Sequence, residues 1–137
     1  MGQQQLLLLV LSTVIVGLAT VAGIQAFSEN QEQATRDALS QRALTIASDI
    51  NALAAEPTQM GGIDTSSASG LQSTVINRAG YETVSVGQNN TTKIAAPGAG
   101  DGAGCTISGS DPIQVTCTSP DLSNDVVADT GPNPSVN

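Results

Sequence analysis

The sequence predicts an α+β protein, in which one long N-terminal α-helix is joined to a small antiparallel β-sheet head. Three observations support this fold class. An uncharged apolar run occupies 6–27, and a helical apolar periodicity continues over 28–56. The remaining chain alternates short apolar stretches with clusters of Gly, Ser, Thr and Asn, which is typical of short strands and turns. The helix is therefore expected to have a hydrophobic half and an amphipathic half.

The expected domain organisation follows these changes in composition along the 137 residues. About 55 residues in the helix leave about 80 for the head and tail, so the head has a thin core unless it is cross-linked or packed on neighbours. The segments are a short polar N-terminus or leader at 1–5, the hydrophobic helix at 6–27, its amphipathic continuation at 28–56, a small β-rich head at 57–119, and a polar, loosely ordered tail at 120–137.

The hydrophobic half of the helix is long enough to cross a membrane. At about 1.5 Å per residue, 6–27 spans about 33 Å, and a bilayer core is about 30 Å thick. Small residues interrupt the surface of Leu, Val and Ile, and small residues allow helices to approach closely. They are Ser12, Thr13, Gly17, Thr20 and Gly23.

Three interpretations of this apolar run are open. A secretory signal peptide would have its apolar region at 6–16 and a small-residue cleavage site at 21–23. No basic residue precedes the run, however, and it is longer than a typical signal region, so this interpretation is disfavoured. A plain transmembrane anchor is physically adequate. The third interpretation is a helix that packs against copies of itself in a polymer.

The amphipathic half carries one apolar stripe, which is expected to pack on the head or on a neighbouring helix. Its members are spaced i, i+4, i+7, i+11 and i+14, the period of one helix face. Pro57, followed by Gly61 and Gly62, predicts the end of the helix and the start of the head. The stripe consists of Leu39, Ala43, Ile46, Ile50 and Leu53.

The head is expected to contain a four-stranded antiparallel sheet, because alternating stretches are separated by turn residues. A short helix or loop is expected over 66–79, and a loop over 97–104, where four glycines occur. The expected strands are 81–86, 91–96, 105–108 and 113–117.

The two cysteines lie near the ends of one predicted hairpin. Cys117 shares a strand face with Ile113 and Val115 by the two-residue period, and Cys105 begins the opposite strand. We expect a Cys105–Cys117 disulfide, the alternative being two free buried thiols. Closing this loop would stabilise the head by about 3 kcal/mol in the chain-entropy model.

The composition argues against an enzyme. The chain has no His, the usual acid–base residue and metal ligand near neutral pH, and its carboxylates are scattered over polar stretches. We therefore predict no catalytic residue, no cofactor and no metal site. The net charge of −8 repels nucleic acid phosphates and suits an acidic extracellular surface, so no nucleic acid partner is expected.

The segment at 89–92 contains two overlapping glycosylation sequons. They make Asn89 and Asn90 candidate N-glycosylation sites. The alternative, a plain polar turn between strands, is favoured because many cells never use the sequon.

Residues 2–55 resemble the N-terminal region of the type IV pilin superfamily. The resemblance covers about two fifths of the chain, which is long enough to include the whole predicted helix. Two features of the family are missing from this chain. The family's acidic residue near the mature N-terminus would align with Leu7 or Leu8, and its mid-helix proline would align near Gln25. The matching features are Gly2, the apolar run from Leu6, Gly17 within it, and Ala26-Phe27-Ser28 followed by Glu29-Asn30-Gln31.

The resemblance implies a structural subunit that polymerises into an extracellular type IV pilus-like filament. It also implies leader cleavage between Gly2 and Gln3, and methylation. The implied partners are other copies of the chain, an assembly ATPase, an inner-membrane platform and a prepilin peptidase. The subunit would wait in the cytoplasmic membrane and then join a filament on the cell surface. The implied polymerisation core is Leu6, Leu7, Leu8, Leu9, Val10, Leu11, Val14, Ile15, Gly17, Leu18, Val21, Ile24 and Phe27.

Two other functions remain open at this point. One is a single-pass membrane protein whose extracellular head binds a partner. The other is an archaellin-like flagellar filament subunit. Adhesion, motility, DNA uptake and secretion are all compatible with a filament of this kind.

Overall fold

The computed structural model describes residues 2–66, 69–86, 91–109, 112–130 and 135–136. It contains two compact units, Met1–Gln33 and Ala34–Asn137. The elements are helix α1 (Gly2–Ala55), a 3-10 helix (Thr58–Met60), helix α2 (Leu71–Ala79), and strands β1 (Thr83–Val86), β2 (Thr91–Ala95), β3 (Gly104–Ser108), β4 (Ile113–Thr118), β5 (Val126–Thr130) and β6 (Ser135–Val136). The α+β fold class is confirmed.

Helix α1 ends at Ala55, two residues before Pro57 and one residue short of the end that the sequence predicts. The Pro57 carbonyl accepts bonds from the backbone N–H groups of Met60, at 2.8 Å, and Gly62, at 3.1 Å, which turns the chain back. A Cβ atom on Gly62 would lie 1.9 Å from the carbonyl oxygen of Glu56. Because no side chain fits in that space, Gly62 is required by the close approach of the turn to the end of the helix, and Gly61 is favoured by its positive φ of 112°.

The sheet is an antiparallel meander in which each strand pairs with its neighbours in sequence, in the order β1-β2-β3-β4-β5-β6. The expected four strands are present, with β1 and β2 shorter than expected by one or two residues at one end. The sheet nevertheless has six strands among the described residues, so the expectation of four was wrong.

The two additional strands lie in the segment 120–137, which was expected to be a loosely ordered tail. β5 pairs along its whole length with β4, and Val126 and Ala128 point into the core opposite Cys117 and Val115. Pro120 and Pro132, which lie on either side of β5 in the sequence, favour a loop locally. Pairing with β4 and burial of two apolar side chains outweigh that local preference.

The core lies between the second half of α1, helix α2 and one face of the sheet. The predicted stripe on α1 is confirmed, since its first four members are buried and Leu53 is half-buried. Ala47, which follows Ala43 by one turn, is buried as well. From α2 and the sheet, the core receives Leu71, Val75, Ile94, Cys105, Ile107, Ile113, Val115, Cys117, Val126 and Ala128.

Candidate functional site

The candidate functional surface is the apolar part of α1 in the unit Met1–Gln33, which we call the apolar segment (6–27). Its large side chains point outward all round the helix, with exposed fractions such as 67% for Leu6 and 71% for Ile24. The segment is long and apolar enough to cross a membrane, and the mean hydropathy over 18 of its residues is 2.5. Soluble proteins rarely expose an apolar surface of this extent, so it marks an interaction with lipid or protein.

The hydroxyl groups of the apolar segment are satisfied within the helix. Ser12 and Thr13 each donate to the backbone carbonyl three residues earlier, at 2.8 Å. The Thr20 hydroxyl donates to the carbonyls of Gly17, at 2.8 Å, and Val16, at 3.0 Å. Consequently these polar side chains can enter an apolar environment without leaving an unpaired hydroxyl donor.

The glycines of the apolar segment are not required by contacts within the chain. A Cβ atom added to Gly17 or Gly23 would meet nothing within 4 Å. Each glycine lowers helix propensity by about 1 kcal/mol relative to Ala. Contacts among the described residues therefore do not explain glycine at these positions.

The predicted cleavage and polymerisation residues all lie on α1. Gly2 and Gln3 form its first turn, and a Cβ on Gly2 would also meet nothing within 4 Å. The large apolar members of the predicted polymerisation core, from Leu6 to Phe27, are at least half exposed. Cleavage and polymerisation themselves stay predictions.

The head is attached to the second half of α1 by a polar cluster that sequence reasoning missed. The Arg42 Nε group donates to the carbonyl of Ala95 at 3.0 Å, and its guanidinium carbon lies 4.7 Å from the ring centre of Tyr81. The Tyr81 hydroxyl in turn donates to an Asp49 carboxylate oxygen. Arg42 and Asp49 are seven residues apart and so share a helix face, which is the signal that was available in the sequence.

Burial and charge keep the Tyr81 hydroxyl protonated. Burial raises the pKa of Tyr81 well above its ordinary value, and the hydrogen bond to Asp49 and the charge of that carboxylate raise it further. The Arg42 charge acts in the opposite direction and is the smallest of these effects. The phenol therefore remains a hydrogen-bond donor at every physiological pH.

The predicted disulfide is present between Cys105 on β3 and Cys117 on β4. The two residues lie directly opposite each other, with their Cα atoms 4.0 Å apart, and both are fully buried. The bond therefore links two central strands on the core side of the sheet.

Two further predictions concern glycosylation and metal binding. Asn89 and Asn90 lie outside the described residues. Across the described ranges, no group of three His, Cys, Asp or Glu side chains is arranged to hold a metal ion.

Comparisons with protein-family models, with curated proteins and with solved structures find no match to this chain. The class of protein is therefore defined by its architecture. A long apolar N-terminal helix, a small antiparallel sheet and a disulfide together resemble a pilin-like fold. The same architecture is compatible with a membrane-anchored protein, because α1 is able to span a bilayer.

Proposed function

We propose that this protein is a structural subunit that polymerises into an extracellular type IV pilus-like filament through the apolar segment. The observation that carries this proposal is the apolar surface all round α1 over 6–27. A helix that is apolar on every side must be surrounded by lipid or by other helices. The proposed role is structural, with no cofactor and no nucleic acid partner.

The apolar surface supports a subunit that moves from membrane to filament. Each large apolar side chain returned to water would cost about 2 kcal/mol. A subunit can avoid this cost by staying in the cytoplasmic membrane before assembly and then entering a bundle of identical helices. The apolar segment, at about 33 Å, is long enough for the first environment.

Features of the segment favour a bundle over a plain anchor. Gly17 and Gly23 leave open space on the helix surface, and small residues of this kind let neighbouring helices approach closely. The close contact between helices would offset the loss of helix propensity. The internally bonded hydroxyls of Ser12, Thr13 and Thr20 need no partner from a neighbouring helix, so they suit lipid and a dry bundle equally.

The head would form the outer coat of the filament. Its disulfide fits an oxidising extracellular setting, and the acidic surface fits exposure to solvent. By resemblance to type IV pilins, the partners would be an assembly ATPase, an inner-membrane platform and a prepilin peptidase acting between Gly2 and Gln3.

Shearing and sedimentation test the proposal. Cells expressing the chain are sheared, and the released material is pelleted without detergent and imaged by electron microscopy. A filament subunit is expected in the pellet as regular fibres. Recovery of the protein only in the membrane fraction would contradict the proposal and favour the single-pass anchor with a partner-binding head.

A pair of aspartate variants tests whether filament formation depends on the apolar segment. Val14→Asp places a carboxylate in the proposed bundle, where its burial costs several kcal/mol, so fibres are expected to disappear. Met60→Asp is the matched control, because Met60 is an exposed apolar residue of the head. Fibres at the wild-type yield from Val14→Asp, or equal loss from both variants, would overturn the assignment of the bundle to 6–27.

A further inference from the structure

The pairing of β2 with β3 stops early and leaves a cleft inside the sheet. The paired residues are Ile94 with Cys105 and Ala95 with Gly104. Where the two strands are paired they lie close together, since a Cβ atom on Gly104 would lie 2.7 Å from the Cβ of Lys93. Continuing the same register by two residues on each strand would place Thr92 opposite Ile107, but these two residues are not paired.

The backbone groups of Thr92 and Ile107 that face this cleft are oriented for a ladder bond. The Ala95 N–H donates to the Glu82 carbonyl on the β1 side, at 2.8 Å. Successive residues of a strand alternate the side to which their N–H and C=O groups point, so those of Thr92 point towards β3. A regular sheet would join the Ile107 N–H directly to the Thr92 carbonyl.

The side-chain amide of Gln72, on α2, takes the place of that missing bond. Its Nε2 group donates to the Thr92 carbonyl at 2.6 Å, and its Oε1 atom accepts from the Ile107 N–H at 3.1 Å. The orientation of the amide is fixed, because only its nitrogen can donate to a carbonyl and only its oxygen can accept from an N–H. A peptide group of an inserted strand would present the same donor and acceptor to these two strands.

We propose that Gln72 is a plug for this cleft between β2 and β3. By bonding both facing strands, the amide fixes the width of the cleft and occupies the position that water or an extended segment of another chain would need. Unpaired strand edges are sites of edge-to-edge association, and proteins commonly cover them. Here a single amide from the neighbouring helix covers two edges at once. The inference is independent of filament formation.

Hydrogen exchange of the full-length protein in detergent micelles tests the plug. The variants are Gln72→Leu, which removes both bonds, and Gln72→Asn, which keeps the amide but is one methylene too short to reach both strands. The Ile107 amide is expected to exchange on the order of tenfold faster in both variants, because its N–H loses its acceptor. The Ala95 amide, bonded to Glu82, is expected to keep its wild-type protection.

Gln114→Leu is the matched control, because Gln114 is an exposed glutamine on β4. It adds the same apolar side chain without touching the cleft, so the Ile107 amide should exchange as in wild type. Gln72→Leu is expected to form thioflavin T-positive aggregates sooner than Gln114→Leu. Wild-type exchange at Ile107 in both Gln72 variants, an equal loss of protection at Ile107 and Ala95, or equal aggregation of the two leucine variants would overturn the proposal.

Discussion

The two halves of helix α1 contain the same kinds of apolar residue in opposite environments. Ile15, in the first half, is 58% exposed, whereas Ile46, in the second half, is fully buried. The difference follows from the pattern of the residues and not from their hydrophobicity. The second half confines its apolar residues to one stripe, which a single sheet can cover, but the first half is apolar all round.

This contrast separates folding from interaction. The stripe from Leu39 to Ile50 is covered by the chain's own head, and it forms the main part of the core that α1 supplies. No single sheet can cover the apolar segment, so its burial requires lipid or other protein segments. Changes in the second half should therefore alter the stability of the head, and changes in the first half should alter assembly.

The largest expected effect comes from placing the same substitution in each half. Ile46→Asp buries a carboxylate in the core and leaves the isoleucine's contacts unfilled, which costs several kcal/mol, a large part of the stability of a small domain. The head of this variant is expected to unfold at growth temperature. Ile15→Asp is expected to leave the head's melting temperature unchanged and to abolish filaments.

Circular dichroism melts and limited proteolysis of the purified full-length chains distinguish these outcomes. Ile15→Val and Ile46→Val are the controls for each position, and both should behave like wild type within about 1 kcal/mol. A head that melts normally with Asp at position 46, or melts early with Asp at position 15, would break the division between the two halves.

The next effect concerns the disulfide between the two central strands. Cys105→Ser combined with Cys117→Ser is expected to lower the free energy of unfolding of the head by about 3 kcal/mol, because the unfolded chain regains the freedom of the closed loop. The wild-type mass should rise by about 2 Da on complete reduction. Since both cysteines are fully buried, reduction should require unfolding of the head.

The measurement is chemical denaturation monitored by circular dichroism, with intact-mass analysis before and after reduction. Ser123→Ala, at an exposed loop position, serves as the control for purification and handling. Alkylation of both thiols in folded, unreduced protein would show that the bridge is absent.

Several parts of the fold could be predicted because their signals are local. The stripe on α1, the stop at Pro57 and the strand face shared by Val115 and Cys117 all follow from residue spacing within a single element. The pairing of Cys105 with Cys117 could be predicted because the two cysteines lie near the ends of one short hairpin. These predictions needed no knowledge of which distant elements pack together.

The parts that could not be predicted depend on distant contacts. β5 is recognisable only once β4 lies beside it, because its sequence is short and followed by proline. The contacts of Arg42 with Ala95 and of Gln72 with Thr92 and Ile107 join residues that are far apart in sequence. No periodicity within one element encodes such a contact.

A smaller effect is expected at the polar cluster that holds the head on the second half of α1. Tyr81→Phe removes the hydrogen bond to Asp49 while keeping the ring beneath Arg42, so the head should lose about 1–2 kcal/mol. Filament formation should persist at neutral pH. Tyr81→Phe compared with Tyr81→Leu, which also removes the ring, separates the hydrogen bond from the ring contact.

The same cluster makes the stability of the head depend on pH in the alkaline range. The pKa of Tyr81 is raised in the folded state above its ordinary value of 10.0, so the folded state holds the phenol proton more tightly than the unfolded state. The resulting stabilisation is fully present below pH 10 and is lost as the pH rises above that value. Denaturation from pH 8 to pH 11.5 should show a steeper loss in wild type than in Tyr81→Phe. Parallel curves would contradict this account.

The smallest expected effect concerns the glutamines that precede the apolar segment, where type IV pilins carry an acid near the N-terminus and this chain carries Leu7 and Leu8. The amides of Gln3, Gln4 and Gln5 can donate and accept hydrogen bonds between subunits without burying a net charge. Changing all three to Ala should reduce the yield of sheared filaments while membrane insertion stays intact. Changing Gln31 and Gln33, exposed glutamines further along α1, to Ala should have no such effect.

Leu7→Glu sharpens this prediction, because it places an acid where the type IV pilins that the chain resembles carry one. If the amides have taken over the role of the acid, the variant should assemble no better than wild type, since an added carboxylate enters the apolar surface without a partner. Intact-mass measurement of the subunit shows separately whether Met1 and Gly2 are retained. A wild-type yield from the triple-Ala variant would mean that the glutamines only lie at the membrane surface, and the apolar segment alone would then account for assembly.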